Sequence, residues 1–450
     1  MRHGLLDMQT TERKDDSRLL SPHDTHALRI DAQRLYDDFR DIQAIGMNED
    51  GSLSRTALSM ADIAARQWFA DRIETAGLIV RDDDAGNLSG VLDCGKPRAR
   101  TLLVGSHLDS VPNGGHYDGV IGVLSALECA RVLRQAQVRL PFHLEVINFT
   151  DDEGSYMGMF GCRAAAGSLL PNALDDSNEI DNAPFRAALV RAGINPARVF
   201  NARRTPSKLV GYLEVHIEQG ARLERAGKPI GVVLGIVGRT NYEITFLGEA
   251  GHSGTTDMYR RRDALRGAAQ FITRAHDLVR EKFGDGIFNC GGISVSPGSF
   301  NVIPSRAVLT IELRHAKADL LSSMETAIIG VARECAAAFR LDVLPRLVAR
   351  YPAAEMHPQM QAIIASACED LGLEHLSLYS YSGHSPQFMS AITPSGMLFV
   401  PSIGGISHRG EERTEWKDVV NGANVLLHAV LHLARQLSPR RTRTRKADAG

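Results

Sequence analysis

One loop constrains this chain more than any other stretch: residues 105–119, GSHLDSVPNGGHYDG. An apolar run, 101–104, precedes it, and small and apolar residues, 120–133, follow it. That order predicts a strand, a glycine-rich loop and a helix. In open α/β sheets ligands bind beyond the carboxyl ends of strands, where such loops lie. His107 and Asp118 are therefore candidate metal ligands. Asn113, Gly114 and Gly115 allow the backbone to fold Asp118 back toward His107. Asp109 is placed to orient the His107 imidazole, and His116 reads as a solvated loop residue.

At 450 residues the chain is long for one hydrophobic core, and two domains are expected. Apolar periodicity predicts helices over 27–45 and 59–76, the second opened by Ser59 and Asp62 as a capping-box-like pair. Strands follow at 78–81 and 88–92, then at 101–106 and 142–149 around a helix at 119–135, with a short helix at 162–170. The stretch 175–207 is polar and irregular, and strand character resumes at 209–217. Strands alternating with helices imply a mostly parallel sheet covered by helices on both faces.

Between 239 and 349 the texture changes. Strand 242–247, helix 263–283, strands 293–296 and 307–314, helix 319–339 and strand 342–349 follow in order. This β-α-β-β-α-β pattern is that of a ferredoxin-like α+β unit. It is expected as an inserted domain that splits an α/β catalytic domain into 25–238 and 350–437. Helices at 358–371 and 415–436 and strands at 376–379 and 396–400 complete the latter. Residues 1–24 are expected to be a disordered extension and 438–450 a basic, solvated tail.

Bulk composition narrows the partners. A net charge of −2 points to neither nucleic acid nor an anionic membrane. No apolar run is long enough to span a bilayer, and the N-terminus lacks the apolar core of a secretory signal. Six scattered cysteines with no C-x-x-C pair fit a reducing, cytoplasmic setting, and Cys162 reads as a packed small side chain.

Further chemistry-bearing residues lie at other predicted strand ends. Asp151, Asp152 and Glu153 follow strand 142–149, and three adjacent acids there repel one another unless a cation relieves them. One could ligate while its neighbour acts as general base on an activated water. His216 in YLEVHIEQG ends another strand, His408 in GGISHRGEE sits in a loop after an apolar strand, and His252 in GEAGHSGTT lies in the inserted block. Imidazoles and carboxylates converging on one site suit zinc, manganese, cobalt or nickel.

In this order the chain resembles the dinuclear-metal amidohydrolases related to aminoacylases and carboxypeptidase G-type exopeptidases. Within them it is most similar to the branch of allantoate amidohydrolases, N-carbamoyl-L-amino-acid hydrolases and bacterial β-ureidopropionases. The resemblance is carried by the 105–119 loop, DDEG (151–154), HIEQG (216–220), GHSGTTDM (251–258), FNVIP (300–304), the arginine of ELRH (312–315) and GISHRGEE (405–412). It implies His107, Asp118, Glu153, His216 and His408 as ligands of two divalent ions, zinc or manganese, with Asp118 bridging. It implies Asp109 as support for His107 and Asp152 as general base. It implies Gln219, His252, Asn301, Arg314 and His384 as substrate contacts. Arg314 would clamp a substrate carboxylate, and His252 and Asn301 would stabilise the oxyanion across a homodimer. The inserted domain would serve as lid and dimerisation domain.

Two positions depart from the family pattern. Asp152 stands where the family has glutamate, and Ser385, followed by Pro386, stands where an aspartate usually follows the histidine. The resemblance implies hydrolysis of the C–N bond of an N-carbamoyl amino acid or of allantoate. The competing readings are a metal-binding homologue impaired in turnover and an aminoacylase- or peptidase-type amide hydrolase.

Overall fold

The computed structural model describes residues 26–175 and 183–438. The expected disordered extension, the basic tail beyond Ser438 and part of the polar 175–207 stretch lie outside the described residues. Among the described residues thirteen strands form two sheets. They are β1 (Ile79–Asp82), β2 (Leu88–Leu92), β3 (Thr101–His107), β4 (His143–Phe149), β5 (Leu209–Ile217), β6 (Ile230–Ile236) and β7 (Gly238–Leu247). They continue with β8 (Ile287–Ser296), β9 (Arg306–His315), β10 (Asp342–Tyr351), β11 (Ala354–Glu355), β12 (His375–Ser380) and β13 (Ser395–Val400).

The larger sheet has the order β1-β2-β4-β3-β5-β13-β6-β11, with β12 also paired to β6. Its centre, β4-β3-β5-β13, is parallel, while β1, β2 and β11 add antiparallel flanks. The sequence pattern missed β6, because IGVVLGI lies where the texture changes and the helix before it, Arg222–Ala226, is only five residues long.

Both faces of the central strands are covered, as their near-continuous apolar runs require. On β3, Leu102 and Val104 join one core with the helix Val120–Gln135, while Leu103 joins another with the helix Phe160–Ala166. On β5, Leu213 and Val215 split from Tyr212 in the same way. The C-terminal helix, Trp416–Leu437, packs on the first face. Helix starts follow their caps. Asp31 accepts from the backbone N–H of Gln33 and Arg34, so the first helix begins at Ala32 rather than 27. Ser59 accepts from Asp62 N–H, while the Asp62 carboxylate reaches back to Leu58 N–H.

After Ile236 the chain leaves this sheet and builds a second one, order β10-β7-β9-β8, antiparallel throughout. Two long helices, Ala264–Lys282 and Ala318–Ala338, cover one face, with a core of their own around Phe246, Phe271, Leu309 and Met324. The chain rejoins the first sheet at Ala354. Among the described residues no helix is long and apolar enough to cross a membrane.

One buried cation ties the first helices to the β3 loop. The Arg55 side chain is fully buried; Nε donates to Leu108 O at 2.6 Å, and Nη1 to Ile42 O at 3.0 Å and Ile45 O at 2.9 Å. Burial pushes its pKa down to about 10, against the pull of Asp62 and Asp109. We expect Arg55→Leu to strip three carbonyls of their donor and lower stability by about 3 kcal/mol or more, since each unsatisfied buried group costs roughly 1–3 kcal/mol. Urea unfolding with an unchanged midpoint would contradict this.

Candidate metal centre

The parallel order β4-β3-β5-β13 brings four carboxyl ends to one edge. His107 ends β3, the acids 151–153 follow β4, His216 lies near the end of β5, and the loop after β13 carries His408. His107, Glu153, His216 and His408 converge on the Asp118 carboxylate. Its Oδ1 lies 3.4 Å from His107 Nε2 and 2.9 Å from His216 Nε2. Its Oδ2 lies 3.4 Å from His408 Nε2, which in turn is 3.6 Å from Glu153 Oε2. Two donor sets result, His107–Asp118–His216 and Asp118–Glu153–His408, sharing one carboxylate.

These spacings favour shared cations over hydrogen bonds. Two ligands at about 2.1 Å on a tetrahedral ion stand about 3.4 Å apart. Only the His216 contact is short enough for a good hydrogen bond. Glu153 Oε1 is buried with no hydrogen-bond partner among the described residues, which a cation would satisfy. Imidazole nitrogen with carboxylate oxygen suits zinc and manganese alike. The residues present therefore fit a pair of divalent ions.

Local backbone chemistry sets this geometry. Gly119 takes φ +66°, and a Cβ there would lie 2.4 Å from His107 Cε1, so glycine alone lets the Asp118 turn close against the imidazole. Of the residues expected to bend this loop, Asn113 does take a positive φ, whereas Gly114 and Gly115 do not. Nδ1 of His107 donates to Asp109 O at 3.0 Å, and Nδ1 of His216 to Ile217 O at 2.9 Å, so that Nε2 of each ring faces Asp118, and His216 Nε2 also meets the Gly119 N–H at 3.2 Å. Asp109 thus orients His107 through its backbone carbonyl. Its carboxylate, expected in that role, is 3.8 Å away and instead accepts the N–H groups of Asp152 and Glu153.

The charges answer one another. Burial opposes ionisation of Asp118, but His216, His107 and His408 hold its carboxyl well below the usual carboxylate range. Burial, then Asp118, pushes the Glu153 carboxyl up. The Asp118 carboxylate facing it lifts the His408 imidazole to about 9. Burial and Asp109 lift Asp151 to about 8; its carboxylate accepts from Tyr156 and Met157 N–H, so this first acid of the run shapes the turn rather than the site.

Asp152 lies beside the centre, Oδ2 3.9 Å from His107 Nε2, and Ser385 Oγ donates to its Oδ1 at 2.8 Å. The two positions that depart from the family pattern therefore touch each other. A serine there supplies a donor where a second carboxylate would repel. Gln219 Nε2 reaches Asp118 Oδ2 at 2.5 Å. His384 is buried, its ring edge against His216 at 4.4 Å, and burial with His216 keeps it neutral. His107, Asp118, Asp152, Glu153, His216, Gln219, Arg314, His384 and His408 all line one cavity. His252 and Asn301 do not line it. They sit together in the antiparallel unit, where Ser253 N–H donates to Asn301 O. His116 bonds Gly51 O and Cys162 is buried, its thiol pushed up by burial, so neither is a ligand.

Three contributors escaped the sequence reading. Glu412 Oε1 accepts from Tyr117 and Asp118 N–H at 3.0 and 3.1 Å, seating the Asp118 turn from beneath; the second acid of GEE was its only signal. Glu214, two residues before His216 on the same face of β5, is raised to about 7 by burial and bonded by Ser106 and Tyr212 hydroxyls. Arg239 joins Arg314 in the cavity wall.

An open α/β sheet with two imidazole–carboxylate sets sharing one aspartate defines a dinuclear-type metallohydrolase scaffold. Residues 103–432 match the family model described as Peptidase family M20/M25/M40, and the chain belongs to that family. It is 35% identical over 407 residues to an N-carbamoyl-L-amino acid amidohydrolase of Geobacillus stearothermophilus, covering 90% of this chain and 99% of the relative. It is 29% identical over 399 residues to the allantoate amidohydrolase of Escherichia coli, covering 88% of this chain and 96% of the relative. A crystal structure of an amidase of the hydantoinase/carbamoylase family from Burkholderia multivorans matches with TM-score 0.81 and 32% identity, covering 90% of this chain and 98% of that one.

If Asp118 is shared, its loss disables both sets. We expect Asp118→Asn, reconstituted with Mn²⁺ or Zn²⁺, to hold less than one ion per chain, and Glu153→Gln to retain one. Equal metal content in both variants, by atomic emission, would refute the sharing.

Proposed function

We propose that this chain is a metal-dependent hydrolase of the non-peptide C–N bond in ureido carboxylates, N-carbamoyl amino acids first and allantoate next. The observation that carries the reading is the shared-aspartate pair of donor sets facing Arg314 within one cavity. Five ligand positions brought together favour an active centre over an impaired homologue, since buried imidazoles and acids are costly to keep without a cation. The full-length similarity to amidohydrolases favours a ureido substrate over a peptide.

Two divalent ions, zinc or manganese, would polarise the carbamoyl group and lower the pKa of a water. The residues of the chain do the rest. Asp152, held by Ser385, takes the water proton as the oxygen adds to the carbamoyl carbon. It returns the proton to the amino-acid nitrogen as that C–N bond breaks. The amino acid leaves, and the carbamate falls to ammonia and carbon dioxide. Arg314 anchors the substrate carboxylate. In this conformation its Nε donates to Glu312 and its Nη1 to Tyr381 O, so Nη2 is the uncommitted nitrogen.

Within this reading the 239–349 unit is the lid and dimerisation domain of a cytoplasmic homodimer. Its edge strands carry exposed Ile287, Ile293, Leu344 and Val348, and Phe300 is fully exposed. His252 and Asn301, remote from the cavity of their own chain, would serve the second copy's site as oxyanion donors. The six free thiols fit a reducing compartment.

The test is ammonia release from N-carbamoyl-L-amino acids and allantoate by the metal-loaded protein. Asp152→Asn should lower kcat by about 10³-fold, within the range of general-base catalysis, with metal content unchanged. Activity that survives this change would remove Asp152 from the role of base. Ser385→Ala should lower kcat by about tenfold with little change in KM, because the hydroxyl positions a base and touches no substrate. A KM effect alone would assign Ser385 to substrate binding instead.

A further inference from the structure

The cavity wall holds a second guanidinium that the reaction above does not use. Arg239 and Arg314 are direct cross-strand partners on β7 and β9, and Tyr351 on β10 is the partner of Arg239 on its other side. All three line the cavity of the candidate metal centre. Like charges directly opposite on paired strands destabilise a sheet. Here a single carboxylate offsets the pair, and it does so unequally. Glu312 Oε1 accepts from Arg314 Nε at 2.6 Å, whereas Glu312 Oε2 is 3.8 Å from Arg239 Nε.

That second separation is outside hydrogen-bond range. Arg239 Nε is buried and has no hydrogen-bond partner among the described residues. No other carboxylate of the described residues stands within ion-pair distance of it. The guanidinium is instead stacked on Tyr351, Cζ 4.1 Å from the ring centroid. Stacking fixes the plane of the group and leaves its edge donors free, an arrangement suited to a planar anion. An unpaired buried donor on a charged group is costly unless a ligand completes it. The cavity holds about 190 Å³. That is below the roughly 300–1,000 Å³ of pockets for larger ligands, and it suits a substrate of amino-acid size.

We infer that Arg239 is a second anion-binding position, so that the cavity selects ureido substrates with two carboxylates, N-carbamoyl amino acids bearing an acidic side chain. Arg314 takes one carboxylate and Arg239 the other. The inference rests on the proposed ureido-carboxylate hydrolysis and deepens it by naming the substrate class. It also gives a reason for Glu312 being shared: one internal carboxylate neutralises half of a two-cation wall, and the substrate supplies the remainder.

Neutral isosteres test this directly. With the Mn²⁺-loaded full-length protein, kcat/KM is measured for N-carbamoyl-L-aspartate and N-carbamoyl-L-glutamate against N-carbamoyl-L-asparagine and N-carbamoyl-L-glutamine, with N-carbamoyl-L-alanine as reference. The acids should exceed their amides by about 30-fold, as expected when a charge-assisted hydrogen bond is lost. Arg239→Gln should reduce that acid-to-amide ratio at least tenfold, and Arg239→Lys, which keeps the charge but neither the stacking nor the planar donors, should keep part of it. Equal rates for acids and amides in the unaltered protein overturn the inference, even if the variants fail to fold. So does a ratio untouched by Arg239→Gln. In both cases turnover of N-carbamoyl-L-alanine leaves the proposed function standing. No ammonia from any of the five substrates or from allantoate, with metal bound, overturns the function itself.

Discussion

The structure of this site depends on one carboxylate being shared. Asp118 presents Oδ1 to His107 and His216 and Oδ2 to His408 and Gln219. Each neighbour that makes it anionic makes the others more cationic, so the group is stable only as a unit. The surrounding fold serves that unit. Glu412 holds the backbone on one side of Asp118, Gly119 removes the Cβ that would strike His107 on the other, and two carbonyls fix the imidazole tautomers. Desolvation strengthens every one of these contacts and raises the cost of leaving any unmade.

The departures at Asp152 and Ser385 look independent in sequence, 233 residues apart, and are one contact in space. A shorter acid with a hydroxyl donor replaces a longer acid with a second acid nearby. The exchange removes a like-charge encounter and ties the shorter side chain in place. Read this way, the pair is a local solution to orienting a base, and it argues against simple decay of the site.

Much of the architecture was legible before the structure. The 209–217 run coincides with β5 because a nearly continuous apolar run marks a strand buried on both faces, and the 263–283 and 319–339 helices agree within one residue at each end because the 3.6 period is strong where one face is buried. The candidate ligands were legible because most sit at strand ends or beside glycines. What was not legible depends on long-range partners. Glu412 is one acid among many until it is seen under a turn 294 residues away. Arg239 is an ordinary strand arginine until its register places it opposite Arg314. The carbonyl role of Asp109 has no side-chain signature, and the helix before β6, Arg222–Ala226, is too short to mark it. His252 and Asn301 follow a different logic again, since one chain does not bring them to the cavity.

The last strand of the large sheet, β13, is inserted at its middle, between β5 and β6. The loop it delivers holds both His408 and Glu412. During synthesis, the earlier strands can pair and collapse, but the Asp118 turn stays unsupported until about nine-tenths of the chain has been made. The first donor set, His107–Asp118–His216, precedes β13 in the chain, while His408 and Glu412 come after it. The second donor set and the support beneath Asp118 are complete only when β13 takes its place in the sheet.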